Sequence, residues 1–150
     1  PFMEESDQFD GIFISNGPWD PALYTKTIEQ TKKALRKNIP IFGICLWNQI
    51  LAHALWAKTY KMKYGHRGQN QPCKDMLTWK CIITSQNHWF AIDEDTLPKT
   101  VKPWFTNIND KTNEWIYHTK KNARSVQFHP ESSPWPNDSQ YLFEEFIDSL

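Results

Sequence analysis

The sequence predicts an α/β protein, a mostly parallel open sheet flanked by helices, with short antiparallel strands in its C-terminal half. Two short apolar runs, "GIFIS" (residues 11–15) and "IPIFGIC" (residues 39–45), each lead into a stretch of helical periodicity. Strands that are apolar on both faces belong to parallel sheets covered by helices. From Lys80 the texture changes to brief runs, "CIITSQ", "WFAID", "PWFTNIND", "WIYHTK" and "ARSVQFH", which read as hairpins and edge strands.

The elements follow in order. "GIFIS" reads as a buried strand ended by the turn cluster "NGPWDP". Asp20 can then cap and Pro21 can open a helix in which Tyr24, Ile28, Thr31 and Leu35 recur at helical spacing, until "KNIP" stops it. "IPIFGIC", with five of seven residues apolar, is the second strand; "NQILAHALWAK" is the second helix and "SQYLFEEFIDSL" the last. The 150 residues suit one domain, with no internal repeat, low-complexity run or linker to divide it. A doubly wound sheet places several strands before the one that carries its nucleophile, and here only one precedes Cys45. The expectation is therefore a domain that lacks its N-terminal strands.

Composition narrows the partners. Lysine plus arginine equals aspartate plus glutamate, 17 each, so no global field draws in nucleic acid or anionic membranes. The Tyr-interleaved basic run "KTYKMKYGHR" then reads as a solvated or interdomain surface. No apolar run approaches the roughly 20 residues of a membrane span, and "PFMEESDQFD" has no signal-peptide character. Three cysteines, Cys45, Cys73 and Cys81, without a C-x-x-C pair, point to a reducing compartment, with the cytoplasm as the expectation. Histidines 53, 66, 88 and 118 lack metal-ligand spacing, so no metal is expected.

A cysteine at the C-terminal end of a parallel strand, immediately before a helix, sits where open α/β sheets bind ligands, and the helix N-terminus favours its thiolate. That describes Cys45, although a free cysteine is more often a buried structural residue. In "SVQFHPE", Glu131 lies two residues beyond His129 and can hold the imidazole in one tautomer, or the pair can be a strand-end histidine beside a solvated carboxylate. In "SNGPWDP", Gly17 can turn its N–H toward an oxyanion, with Leu46 N–H as the second donor, or form an ordinary turn.

Taken together, "SNGPWDP", "PIFGICLWNQILA", "AKTYKMKYGHRGQNQPC", "TSQNHWFAID", "FTNINDKTNEW" and "SVQFHPE…YLFEEF" resemble the class I glutamine amidotransferase domain of carbamoyl phosphate synthetase, a flavodoxin-like fold. "KTYKMKYGHRGQNQPC" is more similar to the pyrimidine-pathway form than to the arginine-pathway form. The resemblance implies glutamine hydrolysis through a γ-glutamyl thioester, with Cys45 as nucleophile, His129 as acid/base and Glu131 as its orienter. It implies that glutamine is held by Gly17, Leu46, Gln49, Asn87 and Phe90 and by the backbone at Trp19 and Trp89. The domain itself would need no cofactor. Ammonia would pass to a synthetase partner that uses ATP, magnesium and bicarbonate. A catalytically dead scaffold module and a γ-glutamyl peptidase on the same fold are the alternatives.

The chain departs from the family at seven positions where glycine is the rule: Trp19, Trp47, Trp56, Trp79, Trp89, Trp115 and Trp135. Glycine serves tight turns, helix ends and close crossings, so positive φ and too little room for an indole are expected at several of them, and a pocket filled by Trp47 and Trp89 would block thioester formation.

Overall fold

The computed structural model describes residues 9–18, 20–133 and 136–150. Two sheets share the work. The first has the order β1-β2-β8-β7-β5, built from β1 (Ile12–Ile14), β2 (Ile41–Ile44), β8 (Ala123–Val126), β7 (Trp115–His118) and β5 (Val101–Pro103). β1, β2 and β8 run parallel, whereas β7 and β5 pair antiparallel. The second sheet, β4-β3-β6, is a long antiparallel hairpin, β3 (Lys58–Asp75) with β4 (Cys81–Asp93), joined by β6 (Phe105–Asn107).

The parallel core forms where it was expected. β2 is buried along its whole length, and Phe42, Ile44, Val126 and Phe128 bury with Phe105 and Trp115 in one cluster. α1 (Thr25–Arg36) and α2 (Leu46–Ala54) bury Leu35, Leu51 and Ala54 against Ile41 and Ala123 in the other, and α3 (Tyr141–Ile147) adds Leu142 and Phe146 to the first. No helix among the described residues is long and apolar enough to cross a membrane.

Four expectations need correction. The antiparallel part begins at Lys58, not Lys80, and its strands are long: the basic run is part of β3, where exposed lysines alternate with buried Met62 and His66. "CIITSQ" and "WFAID" are one continuous strand, because pairing with β3 carries across both. Asp20 caps a short 3-10 turn, Pro21–Leu23, rather than α1, its carboxylate accepting from Ala22 N at 2.9 Å. β1 is an edge strand with Phe13 47% exposed, not a fully buried one.

The tryptophans divide. Trp56 and Trp79 lie at φ 72° and 65°, the left-handed region that glycine enters freely, and both project into solvent, with Lys32 and Lys74 over their rings. Trp47 lies in α2 and Trp89 in β4. Trp115 is 1% exposed and stacks between Trp104 and Phe105 at 4.8 and 5.0 Å, although its Nε1 has no partner. Trp19 and Trp135 lie outside the described residues.

Candidate active site

Cys45 joins β2 to α2 at φ 55° and ψ −105°, a conformation that L-residues rarely adopt. Neighbouring contacts impose it. Cys45 N donates to Val126 O of β8 at 2.8 Å, while Asn48 N donates back to Cys45 O at 3.1 Å to start the helix. A Cβ added at Gly43 would stand 3.0 Å from Trp47 Cβ and 3.1 Å from its carbonyl oxygen, so any larger residue would push α2 outward from β2. The outcome is a strained strand-to-helix elbow with a thiol at its apex.

His129 arrives just beyond the end of β8, the strand beside β2, and its backbone N–H is fixed on Ser85 O at 2.9 Å. Its Nδ1 meets Glu131 Oε1 at 2.8 Å, and its side chain interacts with that of Cys45. Burial opposes charge on His129, but the hydrogen bonds and charges of Cys45 and Glu131 outweigh it and raise its pKa to about 10.

A cleft of about 760 Å³ opens in front of Cys45. Gly17, Leu46, Gln49, Asn87, Trp89 and Phe90 all line it, so every expected glutamine-binding residue borders one space except Trp19, which lies outside the described residues. Trp47 is not on its wall, and Trp89 forms an edge 41% exposed under Arg67; the cleft is open rather than filled. Gln49 Nε2 donates to Phe90 O at 2.8 Å and to Gln127 Oε1 at 2.9 Å, which commits both amide hydrogens and leaves Oε1 as an acceptor. The Cys45 thiol donates to Asn87 O at 3.8 Å.

Sequence reasoning missed the layer beneath. Ser125, Gln127 and Asn48 are fully buried: Ser125 Oγ donates to Asn48 Oδ1 at 2.9 Å, and Gln127 Nε2 reaches Cys45 O at 3.3 Å and Sγ at 3.9 Å. The available signal was two polar residues at i and i+2 within an apolar strand, on the face turned to the nucleophile. Asp20, Lys61 and Arg67 were also missed; they bring charge to the lining of the cleft.

A cysteine on a strand-to-helix elbow, beside a histidine oriented by a carboxylate, is the arrangement of α/β proteins that form covalent acyl intermediates. The chain belongs to the class-I glutamine amidotransferase family, whose pattern matches residues 2–149. It is 54% identical over 137 residues to a carbamoyl phosphate synthase small chain from Akkermansia muciniphila, covering 91% of this chain and 37% of that protein. It is 52% identical over 145 residues to the multifunctional protein pyr-3 of Neurospora crassa, covering 96% of this chain and 8% of that one. An arginine-specific small chain of carbamoyl phosphate synthase from Aspergillus clavatus is 48% identical over 151 residues, covering all of this chain and 33% of that protein. The chain thus spans between a twelfth and about a third of these relatives. Among solved structures, a glutamine amidotransferase from Thermotoga maritima superposes with a TM-score of 0.71 at 21% identity, over 96% of this chain and 65% of that one, which establishes the shared fold.

Proposed function

We propose that the chain is one glutamine amidotransferase domain that hydrolyses L-glutamine through a thioester on Cys45 and supplies the ammonia to a carbamoyl phosphate synthetase. The observation that carries this is Cys45 on its strained elbow, facing both the His129–Glu131 pair and an open cleft lined by amide-recognising groups. Relatives at 48–54% identity that are named as carbamoyl phosphate synthase small chains support the choice of partner. An inactive scaffold loses its rationale, because neither Trp47 nor Trp89 fills the cleft.

The reaction follows from the geometry. His129 carries a proton at neutral pH, and the Cys45 sulfur beside it attacks the side-chain amide carbon of glutamine. Leu46 N–H, unpaired at the start of α2, and Gly17 N–H stabilise the oxyanion. As the C–N bond breaks, His129 passes the proton to the leaving nitrogen and ammonia departs, leaving a C–S bond. His129 then takes a proton from water, whose oxygen attacks the thioester; the C–S bond breaks, the sulfur is freed beside protonated His129 and glutamate leaves. Glu131 holds Nδ1–H throughout, and Gln49 Oε1 accepts from the substrate's α-ammonium group. No step draws on a metal or cofactor; ATP, magnesium and bicarbonate act in the partner.

Replacing Cys45 with alanine in the intact synthetase tests this. Glutamine-dependent carbamoyl phosphate formation falls to background while ammonia-dependent formation persists; equal loss of both would refute the division of labour.

A further inference from the structure

A polar cluster that the reaction does not use runs inward from the cleft wall at His88. His66 of β3 and His88 of β4 are register partners with rings 4.9 Å apart at 85°. Spacing along the chain set these histidines apart; the hairpin brings them within 4.8 Å of one another and of Glu114. His66, Gln86, His88 and Glu114 are all at least 92% buried, and Gln86 Oε1 fills the space between the two rings.

The donors can be counted. His66 Nε2 meets Asp110 Oδ2 at 2.8 Å, and its Nδ1 meets Gln86 Oε1 at 2.7 Å and Glu114 Oε1 at 3.3 Å. All three are acceptors, so His66 donates from both nitrogens. Gln86 cannot turn over: its Nε2 donates to Thr84 Oγ1 at 3.0 Å, and that hydroxyl spends its own proton on Gln71 O at 2.8 Å. His88 also faces two acceptors, Gln86 Oε1 at 2.9 Å and Phe90 O at 2.8 Å. It has one proton to give, because burial lowers its pKa to about 4.

Gln86 Oε1 accepts a charge-assisted bond from His66, whereas the other donor on Phe90 O is the neutral amide of Gln49, so the His88 proton goes to Phe90 O. That carbonyl also takes Gln49 Nε2, and it fixes the wall from Asn87 to Phe90. We propose that His66 is a positioning residue for the cleft: by donating to Gln86 it assigns the single proton of His88 to Nδ1 and so anchors the Phe90 carbonyl. This rests on the reading that the cleft takes glutamine.

Removing the charge of His66 would weaken its bond to Gln86 Oε1, and His88 would turn to the Nε2–H tautomer. Burial opposes charge on His66, but Glu114 and Asp110 outweigh it and raise its pKa to about 9, so alkaline titration removes that charge without mutation. The groups around it are Asp110 and Glu114 from the β6–β7 connection, Cys73 of β3 and His88 of β4; His129 also acts on His88 through space.

The test is nitrogen-15 NMR of histidine-labelled full chain, which distinguishes Nδ1–H from Nε2–H. His88 should be Nδ1–H at neutral pH, and should shift toward Nε2–H as pH passes about 9 and in His66→Phe. In the same variant, KM for glutamine should rise about tenfold with little change in kcat, the loss of one hydrogen bond's worth of positioning. Should His66→Phe fail to fold, the titration of the unmodified chain decides. An Nδ1–H tautomer that persists through both perturbations would overturn the proposal. A chain that hydrolyses no glutamine but shows the tautomer change would instead refute the functional reading alone.

Discussion

At Cys45 the backbone is held at a positive φ, a strain of order 1–3 kcal/mol that persists only because β8 and the first turn of α2 fix it from both sides. The strain aims the thiol at the cleft, and the histidine opposite completes the pair. We expect His129→Asn to lower kcat for glutamine hydrolysis by about 10²-fold or more, the usual range for an acid/base group, and Glu131→Gln to lower it less. Steady-state glutamate release measures both; an Asn variant with near-normal kcat would exclude the assigned role. Trp56 and Trp79 carry the opposite kind of strain, a left-handed backbone without an evident return beyond one lysine–indole contact each. Relief of about 1–2 kcal/mol on substitution by glycine outweighs loss of an exposed cation–π contact of about 0.5–1. Trp56→Gly and Trp79→Gly should each raise stability by up to about 1 kcal/mol in denaturant unfolding, while Trp56→Ala should not. Destabilisation by both glycine substitutions would show that the indoles matter more than the backbone.

The β3–β4 hairpin shows how one side chain fixes an element. Asp75, 7% exposed at the end of β3, accepts from Leu77 N at 2.7 Å, Thr78 N at 3.1 Å, Thr78 Oγ1 at 2.7 Å and Trp104 Nε1 at 3.0 Å. Burial works against its charge, but these donors prevail and lower its pKa. Asp75→Ala orphans four donors and should cost about 2–4 kcal/mol, read as a lower denaturation midpoint; a loss below about 0.5 would mean that water replaces the carboxylate. The parallel half of the fold was legible because "IPIFGIC" and "NQILAHAL" state their periodicity locally. The hairpin was not. Its first strand interleaves charged and apolar residues, and the register shifts between Lys61 and His66 and between Gly68 and Gln71, which no spacing rule reveals. For the same reason Cys45, His129 and Glu131 could be found from motif order, whereas the His66–His88 pairing and the Gln127 layer needed the sheet itself.

Over the whole molecule the buried histidines set the pH dependence of stability. His66 and His129 have folded pKa values raised to about 9 and about 10, so their contribution is complete below about 6.5 and is lost as pH rises through those values. His88 is depressed to about 4, so stability also falls from about 6.5 downward, and Asp75 and Asp110, both lowered, add to that loss below about 3.8. Denaturation midpoints should therefore peak near pH 6.5 and decline on both sides; a flat profile from pH 6.5 to 9 would contradict the charged state of His66. The chemistry itself is decided by one experiment: acid-quenching the intact protein during turnover with glutamine and analysing the Cys45 peptide by mass spectrometry. A single γ-glutamyl group on Cys45, absent from Cys45→Ala, is the expected result, whereas glutamate release that persists in Cys45→Ala with no adduct on the native peptide would rule out the thioester.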